Sequence, residues 1–391
     1  MLRKKTGRIE IVSVKDERVE AFIPDPLPPE PGIKWGGDLQ KLFDQAHVSL
    51  GELNAINEIV PNTELFLYMY VRKEAVLSSQ IEGTQSSLSD LLTHEVGEAV
   101  SVPQDDVAEV SNYVAALNHG LKRMREDGFP LSLRLLKEMH AILLRSGRGQ
   151  NLAPGEYRRT QNWVGGTRPG NAVFIPPPHT HLMDLMGDLE KFLHDEDIPP
   201  LLKAALTHLQ FETIHPHLDG NGRLGRLMIT LLLCAEGLLK QPSLYLSLYF
   251  KTYRQQYYDM LDTVRRKGDW ESWLAFFAEA VVRTADQAVL TAKELQDMFA
   301  RDSATINGLG KAKETAKAIH DALLAQPIST PSSLVEATGK THATINSSLR
   351  NLELFGIVKE VSGRKRNRVY AYSEYIRIMD MGLDVPGEHS A

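Results

Sequence analysis

Twelve consecutive residues, His215-Pro216-His217-Leu218-Asp219-Gly220-Asn221-Gly222-Arg223-Leu224-Gly225-Arg226, bring together side chains suited to phosphate chemistry. His215 has an ordinary pKa close to neutrality and could move a proton there. Asp219 offers a hard oxygen that could hold Mg²⁺ against phosphates. Gly220-Asn221-Gly222 frees the backbone for conformations that a Cβ forbids, so successive N–H groups can turn inward as a nest where a helix begins. Arg223 and Arg226 are three residues apart, hence on one helix face, and their guanidinium forks match phosphate oxygens. The competing reading is a glycine-rich turn between helices whose arginines pair with surface carboxylates. The complete set of base, metal ligand, cradle and charge clamp argues against it.

Two helices must position this turn. Leu201 to Thr213 carries apolar residues at helical spacing, and Leu227 to Leu239 is an apolar run too short to cross a bilayer, which predicts a buried core helix. With 391 residues, 42% of them hydrophobic, the chain can bury the core of two or three domains. A net charge of -6 speaks against attraction of the whole chain to nucleic acid. The single cysteine, Cys234, precludes an intrachain disulfide and reads as a buried thiol in a reducing compartment. The first residues, Met1 to Val14, contain no apolar signal core, so a cytoplasmic protein without membrane partners is expected.

The stretch from His215 resembles the active-site motif of the Fic (filamentation induced by cAMP) family, HxFx(D/E)GNGRxxR. One position departs: His217 stands where the family usually has Phe, a packing anchor below the loop. The resemblance implies a protein adenylyltransferase that moves AMP from ATP to a Tyr, Thr or Ser hydroxyl of a target protein and to itself. It implies His215 as base, Asp219 on Mg²⁺, and Gly220, Asn221 and Gly222 on developing phosphate charge. Arg223 and Arg226 would bind the β- and γ-phosphates. A homodimer is among the assemblies that the resemblance brings with it. Relatives on this scaffold also remove AMP or transfer other phosphate-containing groups, and those readings stay open.

Upstream, Asp38 to Leu53 and Asn62 to Leu77 recur at helical spacing, the second continuing towards Ser79. It ends at Ser78-Ser79-Gln80-Ile81-Glu82-Gly83, with Gly83 as a stop and Glu82 where the helix dipole disfavours an acid. Ser78, Glu82 and Gly83 resemble the family's inhibitory motif, (S/T)xxxE(G/N). The implied role of Glu82 is to reach Arg226, displace the γ-phosphate and hold ATP in an unproductive pose.

The pattern divides the chain into residues 1–102 (arm and inhibitory helix), 103–300 (catalytic core) and 311–380. Arg8 to Val14 reads as a short strand and the proline-rich Phe22 to Gly32 as extended chain. Helices follow at Asp106 to Arg125 and, capped by Ser132, at Leu133 to Leu144. Asn162 to Pro178 reads as a hairpin standing exposed at an edge, since its prolines exclude a central strand. It resembles the Fic flap, on which a target polypeptide docks by main-chain pairing. His179 and His181 lack the company a zinc site needs. His194, His208 and His217 read as packing or surface residues. Aromatic-rich helices are expected at Tyr245 to Tyr258 and Asp269 to Val282, with a long helix to about Phe299 and a boundary at Arg301 to Gly310. The resemblance extends over roughly residues 22–282.

The last segment reads as helices at Lys313 to Leu324, Ser332 to Thr338 and Thr341 to Phe355, then strands Ile357 to Val361 and Arg368 to Tyr372 around a basic tip. This resembles a winged helix-turn-helix. Between Lys311 and Arg377 eleven Lys and Arg face six Asp and Glu on an otherwise acidic chain. DNA would meet Thr341, His342, Thr344, Asn346 and Ser347 in a groove and Arg364, Lys365, Arg366 and Arg368 at phosphates. Dimerisation or protein docking is the other use of such a module, and a nucleotide-sensing, DNA-binding regulator is the rival to an enzyme. The expected fold class is mainly α: a Fic-type helical core with a small β-hairpin flap, plus the C-terminal winged module.

Overall fold

A computed structural model describes residues 6–59, 63–98, 100 and 102–382. The chain opens with an antiparallel hairpin, β1 (Gly7–Val14) and β2 (Glu17–Pro24), in which Gly7 faces Pro24 and Val14 faces Glu17. Lys15 and Asp16 make its two-residue turn at φ 49° and 65°. Only β1 is expected from sequence; charges at Glu17, Arg18 and Glu20 conceal the alternation that buries Val19, Ala21 and Ile23.

Helices α1 (Gly37–Ile59) and α2 (Thr63–Ile81) follow, both longer than their predicted spans. No element is predicted between Thr84 and Pro103, yet α3 (Leu88–Glu95) lies there. Its eight residues are too few to show a period, and a capping box between Ser87 and Asp90 starts it. Helices α4 (Gln104–Arg125) and α5 (Leu133–Leu143) match expectation. After a long loop come α6 (Leu182–Leu193), α7 (Pro200–Ile214) and α8 (Asn221–Ala235).

Then α9 (Ser247–Thr252) and α10 (Arg254–Lys267) lead into α11 (Trp270–Asn307), 38 residues and therefore about 57 Å long. The expected break after Phe299 is absent. Residues 301–307 contain no Pro or Gly, Ile306 is buried, and buried Asp302 accepts a hydrogen bond from the Tyr372 hydroxyl at 2.5 Å. Helices α7 and α8 form the centre, flanked by α4, α5, α6 and α10, and α1 lies along α11.

The C-terminal module runs α12 (Lys313–Ala325), β3 (Ile328–Ser329), α13 (Pro331–Thr338), α14 (His342–Leu354), β4 (Lys359–Glu360), β5 (Tyr370–Ala371) and α15 (Ser373–Asp380). Gly339 at φ 66° turns α13 into α14. Its three strands are antiparallel in the order β3-β5-β4. No helix among the described residues is long and apolar enough to cross a membrane.

Candidate active site

Helix α7 is buried along almost its whole length, which fixes where it ends. It stops at His215, whose φ of 50° and ψ of 60° put a non-glycine residue in the left-handed region. Such a conformation costs on the order of 1–3 kcal/mol and persists only where the surroundings enforce it. Arg158 does the enforcing. Its Nε donates to the His215 carbonyl at 3.0 Å, its Nη2 to Pro177 at 2.5 Å, and its own N–H to the Pro216 carbonyl at 2.9 Å. Burial pushes this guanidinium down to about 10. Nothing in the sequence marks Arg158, since an arginine in a polar loop is ordinarily a surface residue.

The turn beyond His215 is held from beneath. The His217 N–H donates to Asn221 Oδ1 and the Asn221 amide donates back to the His217 carbonyl, both at 2.9 Å. The buried His217 ring stacks on His140 with centroids 3.7 Å apart. His140 Nδ1 accepts from the Gly155 N–H at 2.8 Å, so the ring carries its proton on Nε2 and donates it to the Asp219 carbonyl at 3.0 Å. His217 Nδ1 donates to the Glu156 carbonyl at 2.8 Å. The His217 anchor thus packs as an aromatic and gains a hydrogen bond that Phe could not make. His208 is likewise buried, with Nε2 2.9 Å from the Tyr257 hydroxyl, and His194 ends α6 at the surface.

Helix α8 begins at Asn221, six residues before the predicted start, because Gly220 at φ 77° reverses the chain into it. Gly220 to Arg226 therefore form the helix start itself, with its outward N–H groups. Asp219 is half-exposed; its Oδ1 accepts from the Gly220 N–H at 2.7 Å and its Oδ2 lies 3.3 Å from Arg223 Nη2. Buried Arg223 also donates to Glu109 Oε2 at 3.0 Å, and Arg148 donates to the same carboxylate. Glu109, a buried acid on α4, is a second residue that sequence leaves unmarked, because it falls on what reads as a polar helix face.

Arg226 is buried and gripped by the end of α2. Its Nε donates to Ser78 Oγ at 2.8 Å, and its Nη2 to the Ser78 carbonyl at 3.0 Å and to Glu82 Oε1 at 2.6 Å. Gly83 turns the chain away at φ 99°. A Cβ on Gly222 would collide with the Glu82 carboxylate, so only glycine lets that carboxylate settle over the helix start. Desolvation alone would raise the Glu82 carboxyl, but Arg226 outweighs it and holds the group below its ordinary value.

His215 keeps 19% of its side chain exposed, and its Nδ1 stands 4.0 Å from Glu212 Oε2. Burial, with the nearby guanidinium groups of Arg265 and Arg158, lowers the ring to about 4, so it is neutral at physiological pH. Burial raises Glu212 to about 7. Among the residues singled out in the sequence, Ser78 and Glu82 meet Arg226, Glu82 lies over Gly222, and Asp219 lies against Arg223.

The segment from Asn162 to Pro178 lies beside the turn. It pairs through one bridge, Val164 with Phe174, and β2 covers part of it: the Phe22 N–H donates to the Ile175 carbonyl at 3.0 Å. The expected free-standing hairpin is therefore shouldered on one side, because Ile175 packs with Val14, Val19 and Ala21. Among the described residues no group of three or more His, Cys, Asp or Glu could hold a metal by itself.

Fold and turn together define a mainly helical protein built around a glycine-rich turn that starts a buried helix. Residues 40–122 match the profile described as Fic/DOC family N-terminal, and residues 130–233 that described as Fic/DOC family. These two segments carry a Fic N-terminal region and a Fic domain. The chain is 29% identical over 267 residues to protein adenylyltransferase Fic of Culex quinquefasciatus, covering 66% of this chain and 49% of that protein. It is 32% identical over 263 residues to the protein of the same name from Drosophila grimshawi, covering 63% and 50%. The chain thus spans about half the length of these curated relatives. Its fold resembles the crystal structure of a Fic family protein from Desulfovibrio desulfuricans G20, with a TM-score of 0.58 at 22% identity over 88% of this chain and 98% of that one. It also resembles Fic-1 (residues 134–508) of C. elegans, with a TM-score of 0.51 at 22% identity over 67% and 73%.

Proposed function

We propose that the protein transfers AMP from ATP to a Tyr, Thr or Ser hydroxyl of a target protein, and to itself, and that Glu82 holds it inactive. One observation carries this reading: the Glu82 carboxylate lies on Arg226 across Gly222, at the start of the α8 helix that follows His215 in the chain. A carboxylate stands where a phosphate would otherwise meet that guanidinium. The names of the curated relatives support the same activity.

The chemistry follows from the residues. Neutral His215 accepts the proton of the target hydroxyl. The hydroxyl oxygen bonds to the α-phosphorus as the bond to the bridging oxygen breaks, and pyrophosphate leaves. N–H groups at the start of α8, with Asn221, hold phosphate oxygens, while Arg223 and, once released, Arg226 clamp the remaining phosphates. Asp219 fits Mg²⁺ as one half-exposed carboxylate whose partner ligands would be substrate phosphates, the usual way this ion is bound. When bound, Mg²⁺ would neutralise phosphate charge. The Asn162 to Pro178 segment would align the target main chain.

Labelling with [α-³²P]ATP and Mg²⁺ tests the proposal. A charged hydrogen bond such as Glu82 to Arg226 is worth roughly 1.5–3 kcal/mol, so Glu82→Gly should raise labelling about tenfold or more over wild type. His215→Ala in that background should lose about 10²–10⁴-fold while still binding nucleotide. Incorporation from γ-labelled ATP instead would overturn AMP as the transferred group.

A further inference from the structure

The cationic surface of the C-terminal module is unused by this function. Helix α14 buries Ile345, Leu349 and Leu352 and leaves its opposite face, with His342, Asn346 and Arg350, exposed and polar. The segment between β4 and β5 brings Lys365, Arg366 and Arg368 beside that face. A cleft of about 730 Å³ runs between them, lined also by Val96 and Glu98 from the α3–α4 connection. Arg350, Lys365 and Arg366 form no ion pair among the described residues. Arg364 does, with Glu98 at 2.6 Å, and that carboxylate is 18% exposed. An exposed helix with a short polar face beside a cationic strand pair suits the wide major groove and backbone of duplex DNA, whereas the deep, narrow groove of duplex RNA would exclude α14.

Glu98 is tied back to the inhibitory helix. Three residues before it, Glu95 accepts from Arg72 Nε at 3.0 Å and from the Tyr68 hydroxyl at 2.6 Å, both on α2. On the next residue of α2, buried Lys73 donates to the Met381 carbonyl, just beyond α15, at 2.7 Å. Five residues further along the same helix, Ser78 grips Arg226. The C-terminal module thus meets α2 directly through Met381 and indirectly through Arg364, Glu98 and Glu95 in the state where Glu82 covers the active site.

We propose that the cleft between α14 and the β4–β5 segment binds duplex DNA, that its phosphates displace Glu98 from Arg364, and that this loosens α2 and releases Glu82 from Arg226. The second half rests on the inhibitory reading of Glu82 given above. The direction follows from linkage: the Arg364–Glu98 contact belongs to the inhibited state, so a ligand that removes it favours the released one. Reciprocally, releasing Glu82 must strengthen DNA binding by the same factor.

The test uses the full chain and a fluorescein-labelled 24-base-pair duplex of arbitrary sequence, read by anisotropy across a salt series. We expect affinity to fall as salt rises. Substituting Arg366→Glu together with Arg368→Glu should weaken binding about tenfold and lower the salt slope by about two. Glu98→Gln should tighten binding, and so should Glu82→Gly. Saturating duplex should raise α-label incorporation several-fold in wild type and add little to Glu82→Gly. Absence of salt-dependent binding by both wild type and Glu98→Gln, or binding indifferent to the two charge reversals, would overturn the site. Binding that leaves wild-type labelling unchanged while Glu82→Gly labels strongly would overturn the coupling. If Glu82→Gly fails to label at all, the transferase reading fails instead, and the affinities of the Glu98 and Glu82 variants still decide the present one.

Discussion

His217 replaces an apolar anchor with a titratable one, and that has a measurable cost in acid. Burial holds its pKa well below the ordinary value, and neighbouring His140 adds to the effect. The unfolded chain takes up this proton as pH falls through about 6.5, while the folded chain refuses it until much lower pH. The stability contribution is therefore intact above about 6.5 and declines below it, by about 1.4 kcal/mol per pH unit once the unfolded histidine is protonated. Other buried groups, Glu212 and Glu74 among them, contribute slopes of their own, so the comparison must be made between variants. His217→Phe keeps the aromatic packing and removes the titration. Denaturant melts between about pH 5 and 6 should show it with a flatter stability profile than wild type by roughly that slope; identical slopes would contradict the buried neutral histidine.

The element that decides the geometry is the α7–α8 connection, and its support comes from a loop distant in sequence. Arg158 spans that gap, donating to carbonyls of His215, Thr160 and Pro177. Arg158→Ala would strand those acceptors and free His215 from its left-handed conformation. In the Glu82→Gly background we expect labelling to drop about 10²-fold, with ATP affinity nearly unchanged, since a misplaced base affects the chemical step. A proportionate loss of ATP affinity would instead mean general collapse of the turn and the helix start beside it. The turn itself was readable from sequence because its chemistry is local: His215, Asp219, the glycines and the arginines follow one another. Ser78 and Glu82 were legible through their resemblance to the family's inhibitory motif, which implied the Glu82 contact with Arg226 but not the Ser78 one. Arg158, Glu109 and His140 were not, because each acts through a fold-level contact on which no local spacing bears. The hairpin strand β2 and helix α3 were hidden for a related reason, being short segments whose burial is imposed by neighbours elsewhere in the chain.

At the scale of the molecule, α11 is common to both ends of the chain. Near its start Trp273 donates to the Ala205 carbonyl of α7 at 2.9 Å, and near its end Asp302 receives the Tyr372 hydroxyl of the C-terminal module. Phe299 meets Tyr375 of α15, and Lys73 reaches Met381. The covalent link from α11 to α12, by contrast, is a short exposed stretch around Gly308 to Lys311. The peptide there carries little of the burden of keeping the two parts together. A protease that severed it would leave a clipped chain whose halves still travel as one species through a sizing column, parting only in denaturant. Evolution could therefore move the gene's seam at this point, or split it in two, without parting the pieces.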